Sequence, residues 1–227
     1  MGGVERVVGE LAAWSPYLAA GFAWNIVISL VAMTAGTGGG YLLARWRVSP
    51  RRALARTGAA ATELTRNIPT FVFQFYLMFM LPDAASWPAI GVSLPFPAWL
   101  KAALALALAV AGFVSDHLAR ILRESRAARC RALPVFVSNW GNFLVTIVMA
   151  SSTASVIGVP ELVSRCNTMI AAIGTTDAML WVYLYAMGAF FLFCHLATAL
   201  VAWLSRGLER RFGGDAGLDA EDRRGAI

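Results

Sequence analysis

Three long stretches of this chain carry no Asp, Glu, Lys or Arg. They lie between Glu10 and Arg45, between Arg131 and Glu161, and between Asp177 and Arg206. Each exceeds the roughly 20 residues that a helix needs to cross the hydrocarbon of a bilayer. A buried helix of a soluble protein rarely stays uncharged for so long, so the pattern specifies an integral membrane protein. Composition leans the same way: of 227 residues, 59% are hydrophobic and 14% charged, against about 45–50% and about 25% in soluble domains.

The net charge of +6 raises nucleic acid as a partner, but its placement argues against that. Fifteen of the 19 basic residues fall in three clusters, at residues 45–56, 120–131 and 206–224. Clusters beside alternate ends of apolar spans are what the positive-inside rule produces. They put the N-terminus outside and the C-terminus in the cytoplasm, which requires an odd number of crossings. About five transmembrane helices satisfy this, near residues 17–44, 69–81, 96–118, from 134 onward, and 178–204. The start lacks the basic region of a cleaved signal peptide. Residues 1–16 read as an amphipathic surface segment, 17–210 as the transmembrane domain, and 211–227 as a disordered cytoplasmic tail.

A polar seam runs through the fourth span. Asn142 opens an apolar run that reaches a patch of small hydroxyl residues, Ser151, Ser152, Thr153 and Ser155, followed by Gly158 and Pro160-Glu161. Hydroxyls and a broken helix at membrane depth are tolerated where the backbone lines a water-filled path. Asn142 and the four hydroxyl residues are therefore the candidate substrate path.

Other features read more plainly. Gly36, Gly38, Gly39 and Gly40 lack the Lys-Ser/Thr that a phosphate loop needs, so they read as a close helix-packing face. Glu63 and Arg66 share a helix face, and Asn67 follows. Pro69 then predicts a kink near the start of the second span. Asp116 and Arg120, four apart, form a second expected pair, and these five residues make a polar cluster at helix ends. The loop over residues 83–101, with Trp87 and Trp99, suits the outer interface. Cys130, Cys166, Cys194, His117 and His195 show no metal-ligand spacing and no short pairing. The basic run over residues 120–131 is either a topology anchor or a docking surface.

The run Glu63-Leu-Thr-Arg66-Asn67-Ile68-Pro69 is followed by an aromatic span that carries Gln74 and ends in Leu81-Pro82. Further on, Asn142 precedes Ser152 and then Ser155-Val-Ile-Gly-Val-Pro-Glu161-Leu162. With these two motifs in order, residues 17–210 resemble the permease subunits of ATP-binding-cassette importers for polar amino acids. The resemblance implies an all-α, type I importer permease-like fold in the bacterial cytoplasmic (inner) membrane. It implies no catalysis and no cofactor on this chain, with ATP and Mg on partner ATPase subunits. It also implies a solute-binding protein outside, a small polar substrate, and a second permease subunit.

The chain departs from that pattern in one region. Family members carry a cytoplasmic loop between the third and fourth spans, with Glu-Ala-Ala followed shortly by Gly, whose short helix fits a pocket on the ATPase. Here the connection is much shorter, and Arg126-Ala127-Ala128-Arg129 is a degenerate remnant. Met149 also stands where a Lys often precedes the hydroxyl pair. The expectation is a heterodimer in which the second permease carries the main coupling helix. The alternative is a non-transporting scaffold or regulatory subunit. A proton-driven transporter would show inverted repeats and midplane acids, and an enzyme would pair a nucleophile with a base; neither pattern occurs.

Overall fold

The computed structural model describes residues 2–87 and 92–222. It is helical apart from one short hairpin. Helix α1 (Gly2–Arg47) has 46 residues and is about 69 Å long at 1.5 Å per residue. Residues 2–16 are its first turns, with Pro16 inside it, so no separate surface helix precedes the first span. Helix α2 (Arg52–Asn67) and helix α3 (Thr70–Met80) follow. Between them Ile68 is extended, with φ −86° and ψ 126°, as the ring of the following proline requires. The expected kink is therefore present.

Strands β1 (Ala84–Trp87) and β2 (Val92–Pro95) pair antiparallel, with Ala84 opposite Pro95. Then come α4 (Ala98–Arg123), α5 (Arg126–Ala150), a 3-10 helix (Ser151–Ile157), α6 (Leu162–Ile173) and α7 (Thr176–Asp222). Residues 211–222 continue α7, where composition had suggested disorder.

Among the described residues, four segments are long and apolar enough to cross a membrane: Val7–Arg47, Ala98–Arg123, Arg131–Ile157 and Ala178–Gly207. The second of the five expected spans is the exception. Its helix α3 has 11 residues, about 16 Å, roughly half the hydrocarbon thickness.

Helix α4 sits at the centre. Ala102, Ala103, Leu106, Ala107, Val110 and Val114 are buried in one cluster with Ile28, Ala32 and Met33 of α1, Ile147 of α5, and Ala154 and Ile157 of the 3-10 helix. Glycines bring α1 this close. A Cβ on Gly36 would lie 2.4 Å from the Val110 Cβ and 2.6 Å from the Ala107 carbonyl; one on Gly40 would lie 2.6 Å from the Val114 Cβ. Gly38 has nothing within 4 Å. Two glycines four residues apart are thus the packing face, as small residues serve in a bilayer that offers helices no hydrophobic drive to associate. A second cluster joins Leu18 of α1 to Leu162, Cys166 and Met169 of α6 and to Val182 and Ala186 of α7.

Two connections differ from simple loops. Lys101 is 1% exposed, and its ammonium donates to the Leu81 carbonyl (2.8 Å), the Met78 carbonyl (3.4 Å) and Asp83 Oδ1 (3.0 Å). It closes the hairpin and satisfies carbonyls at the end of α3, which have no helical partner. At the other end of α4, only Glu124 and Ser125 separate it from α5, and the Ser125 hydroxyl caps α5 by accepting from the Ala128 amide. No helix stands between them.

Candidate functional site

The polar seam is a break in the fourth span, and its freed backbone is satisfied by side chains. The 3-10 helix ends at Gly158, whose φ of +84° is one that glycine adopts without strain. Pro160 follows, and α6 starts at Leu162. In a bilayer such irregular backbone must find partners within the protein. Asn25 of α1 supplies them: its Oδ1 accepts from the Leu162 amide at 3.1 Å. Its Nδ2 donates at 2.9 Å to Ser151 Oγ and at 2.9 Å to Glu161 Oε2. Glu161 Oε1 in turn accepts from the Ser164 amide at 2.9 Å, capping α6. Asn25, Ser151 and Glu161 are all fully buried.

The same face of α1 makes the clamp possible one and two turns earlier. A Cβ on Gly21 would lie 2.7 Å from Arg165 Cδ and 3.0 Å from the Leu162 Cα, so α6 approaches closely. Arg165 donates to the Tyr17 carbonyl at 2.7 Å and to the Pro160 carbonyl at 3.0 Å, and it lies 4.5 Å over the Tyr17 ring. Tyr17, Gly21 and Asn25 are spaced by four, one stripe of a helix. Arg165, which belongs to none of the three basic clusters, thus has a local role.

On the opposite side the break is held by α3. Thr153 Oγ1 donates to Gln74 Oε1 at 2.8 Å and sits 2.7 Å from the Ala150 carbonyl. One hydroxyl proton serves two acceptors there. Gln74 is 1% exposed, and its Nε2 is the buried side-chain atom without a partner among the described residues.

The candidate path residues therefore separate. Ser151 turns inward to the Asn25 clamp, and Thr153 meets α3. Ser152 is partly exposed and lies on a stripe with Asn142, Thr146 and Met149, each exposed. Their spacing of three and four residues is that of one helix face. Asn142 and Ser152 share this stripe, and Thr146 is a further polar residue on it. Each hydroxyl of the patch donates to the carbonyl three residues earlier: Ser151 to Val148, Ser152 to Met149, Thr153 to Ala150, and Ser155 to Ser152. With their single protons turned inward, Ser152 and Ser155 offer lone pairs outward.

The helix-end cluster assembles differently from expectation. Asp116 does not pair with Arg120. Its carboxylate bridges Arg47 of α1 at 3.2 Å and Arg66 of α2 at 3.1 Å, while Arg120 Nε donates to the Asp116 backbone carbonyl at 3.4 Å. Arg66 is correspondingly engaged across helices and not with Glu63, which is exposed on α2 beside an exposed Asn67. The cause is packing. A Cβ on Gly112 would lie 2.7 Å from Thr65 Oγ1 and 3.0 Å from Arg66 Cγ, so α2 presses against α4 one turn above Asp116. Thr62 and Ser115 share a buried 2.8 Å hydrogen bond at the same contact. Arg126, Ala127, Ala128 and Arg129 form the first turn of α5. The side chains of Arg126 and Ala127 lie outside the described residues, and Arg129 Nε donates to the Glu124 carbonyl at 3.0 Å.

Sequence reasoning passed over Asn25 and treated Glu161 only as part of a motif. A signal was available: Asn25 is the one carboxamide in the uncharged run from residue 11 to 44, and a strongly polar side chain inside a span carries a function by default.

No protein-family model and no curated protein matches the chain. Among solved structures, it matches a chain of the crystal structure of an amino acid ABC transporter with histidines. The TM-score is 0.71 and the identity 18%, over 86% of this chain and 96% of that one. At that identity the likeness shows the fold: a predominantly helical, ABC-permease-like architecture. With four segments of spanning length and apolarity among the described residues, the protein is a multi-pass membrane protein.

Proposed function

We propose that this chain is the transmembrane subunit of an ATP-driven importer for amino acids or similar small polar solutes, in the bacterial inner membrane. The observation that carries this reading is the broken fourth span, clamped between α1 and α3 within a permease-like fold. Its outer stripe of Asn142, Thr146 and Ser152 forms one wall of the path. Outward lone pairs at Ser152 and Ser155 suit the ammonium end of an amino acid. A second permease subunit supplies the facing wall. A solute-binding protein delivers the substrate from outside, and partner ATPase subunits hold ATP and Mg.

The turn of Glu124 and Ser125 between α4 and α5 supports a heterodimer. ATP hydrolysis moves membrane helices only through a mechanical link, and this subunit has no helix there to provide one. In this reading the second permease carries the main coupling helix, and Arg126 to Arg129 make at most a side contact. The same turn favours a second reading, a scaffold or regulatory subunit of such a complex that does not itself line a path.

Affinity purification of the tagged chain, followed by transport of labelled amino acids in reconstituted vesicles, separates these readings. The first expects an ATPase and a second permease to co-purify, and uptake to fall when Ser152→Trp blocks the wall. Uptake unchanged by Ser152→Trp in an intact complex supports the scaffold. Absence of both partners contradicts either reading.

A further inference from the structure

A second opening lies away from the broken span, between the last two turns of α4 and the start of α5. It is an open cleft of about 480 Å3, within the size range of small-molecule sites. On one side lie His117, Arg120 and Ile121 of α4, with Glu124 just past the end of that helix. On the other lie Ala132, Val135 and Phe136 of α5, apolar, with Asn139 the polar residue among them. Arg120 is anchored at the rim by its Nε bond to the Asp116 carbonyl at 3.4 Å. His117 is held by Nδ1, which donates to the Phe113 carbonyl at 2.9 Å, and its ring lies 4.2 Å from that of Phe113.

The charges in the cleft limit what fits. Arg120 and Glu124 both line the cleft, so a cationic and an anionic group share its rim. A simple anion suits Arg120 but meets Glu124 with the wrong sign. A headgroup with a phosphate and a primary ammonium answers both: the guanidinium grips phosphate oxygens, and the carboxylate accepts N–H bonds. A quaternary ammonium has no N–H to donate. The apolar wall receives the glycerol and first methylenes, and the open side lets acyl chains run into the bilayer. The cleft also sits at the level of Arg123, Arg129 and Arg131, where basic pockets between helices meet lipid headgroups.

We propose that this cleft is a binding site for a phospholipid bearing a phosphoethanolamine headgroup. Only its assignment to the cytoplasmic leaflet rests on the orientation given above.

The test is native mass spectrometry of the purified chain, released from nanodiscs with equimolar phosphatidylethanolamine, phosphatidylglycerol and phosphatidylcholine. The ethanolamine lipid should be retained over the other two by about fivefold or more. Glu124→Gln should abolish its preference over phosphatidylglycerol, and Arg120→Gln should lower retention of both. Val135→Trp keeps every charge and alters a side chain that is 53% exposed. It should fill the cleft and lower retention of the ethanolamine lipid without changing the melting temperature. Equal retention of the three lipids overturns the proposal, as does an unaffected Val135→Trp. Displacement of the lipid by free phosphoethanolamine would identify a soluble ligand and overturn it too. None of these outcomes depends on whether the chain transports amino acids.

Discussion

Helices α4 and α7 are alike in apolarity and opposite in surroundings. Their most apolar stretches have mean hydropathies of 1.8 and 1.9, yet 61% of the α4 stretch is buried and none of the α7 stretch. Helix α4 is built from Ala, Gly and Val at its contacts, which let α1 and α2 approach its backbone. The corresponding part of α7 presents Met187, Phe191, Leu192, Leu196, Leu200 and Trp203, all exposed. Hydropathy therefore reports that a helix suits a membrane, and side-chain size reports whether the helix packs against protein. The polar residues follow the small ones. Asp116, Ser115 and Lys101 lie on α4, and Asn25 lies on the α1 surface that packs beside it.

The comparison can be broken by mutation. The largest effect is expected at Asn25, where Asn25→Leu leaves the Glu161 carboxylate and the Leu162 amide buried with a partner removed. The loss should be about 3 kcal/mol or more, measured by unfolding in mixed micelles. Gly36→Val comes next, at about 1–3 kcal/mol from overpacking against α4. Gly38→Val, facing open space two residues on, should stay within about 0.5 kcal/mol. Equal effects at the two glycines would remove the packing face.

Asp116→Asn should cost about 0.5–1 kcal/mol, because the Arg47 and Arg66 pairs are partly solvated, and added salt should shrink the difference. The smallest effect is expected on α7. Phe191→Ala should change the stability of the isolated chain by less than about 0.5 kcal/mol. A large loss there would mean that α7 packs as α4 does.

Much of this architecture was legible in the sequence because it is written in local patterns. Uncharged runs gave the long helices, Pro69 the kink, and the glycine run the tight contact, although only Gly36 and Gly40 of its four make it. The hydroxyl patch located the break. Contacts made between distant segments were not legible. The Asp116–Arg120 spacing suggested a pair along one helix, but the approach of α2 at Gly112 brings Arg66 to Asp116 instead. Asn25 lies 126 residues from Ser151 along the chain and 2.9 Å from it in space, and no local pattern joins them. The directions of the hydroxyls were equally illegible. Four neighbouring residues suggested a single wall, but the turn of the 3-10 helix sends Ser151 inward, Thr153 to α3 and Ser152 outward.

Thiol accessibility tests the wall most directly. In a background lacking Cys130, Cys166 and Cys194, single cysteines would be placed at Ser152 and at Phe191 of the assembled complex in membranes. Each would then be challenged with a charged, membrane-impermeant thiol reagent. The account predicts rapid labelling at position 152, slowed by substrate, and none at position 191, where lipid covers the side chain. An unreactive thiol at position 152 that a lipid-borne quencher reaches as readily as one at position 191 would contradict it.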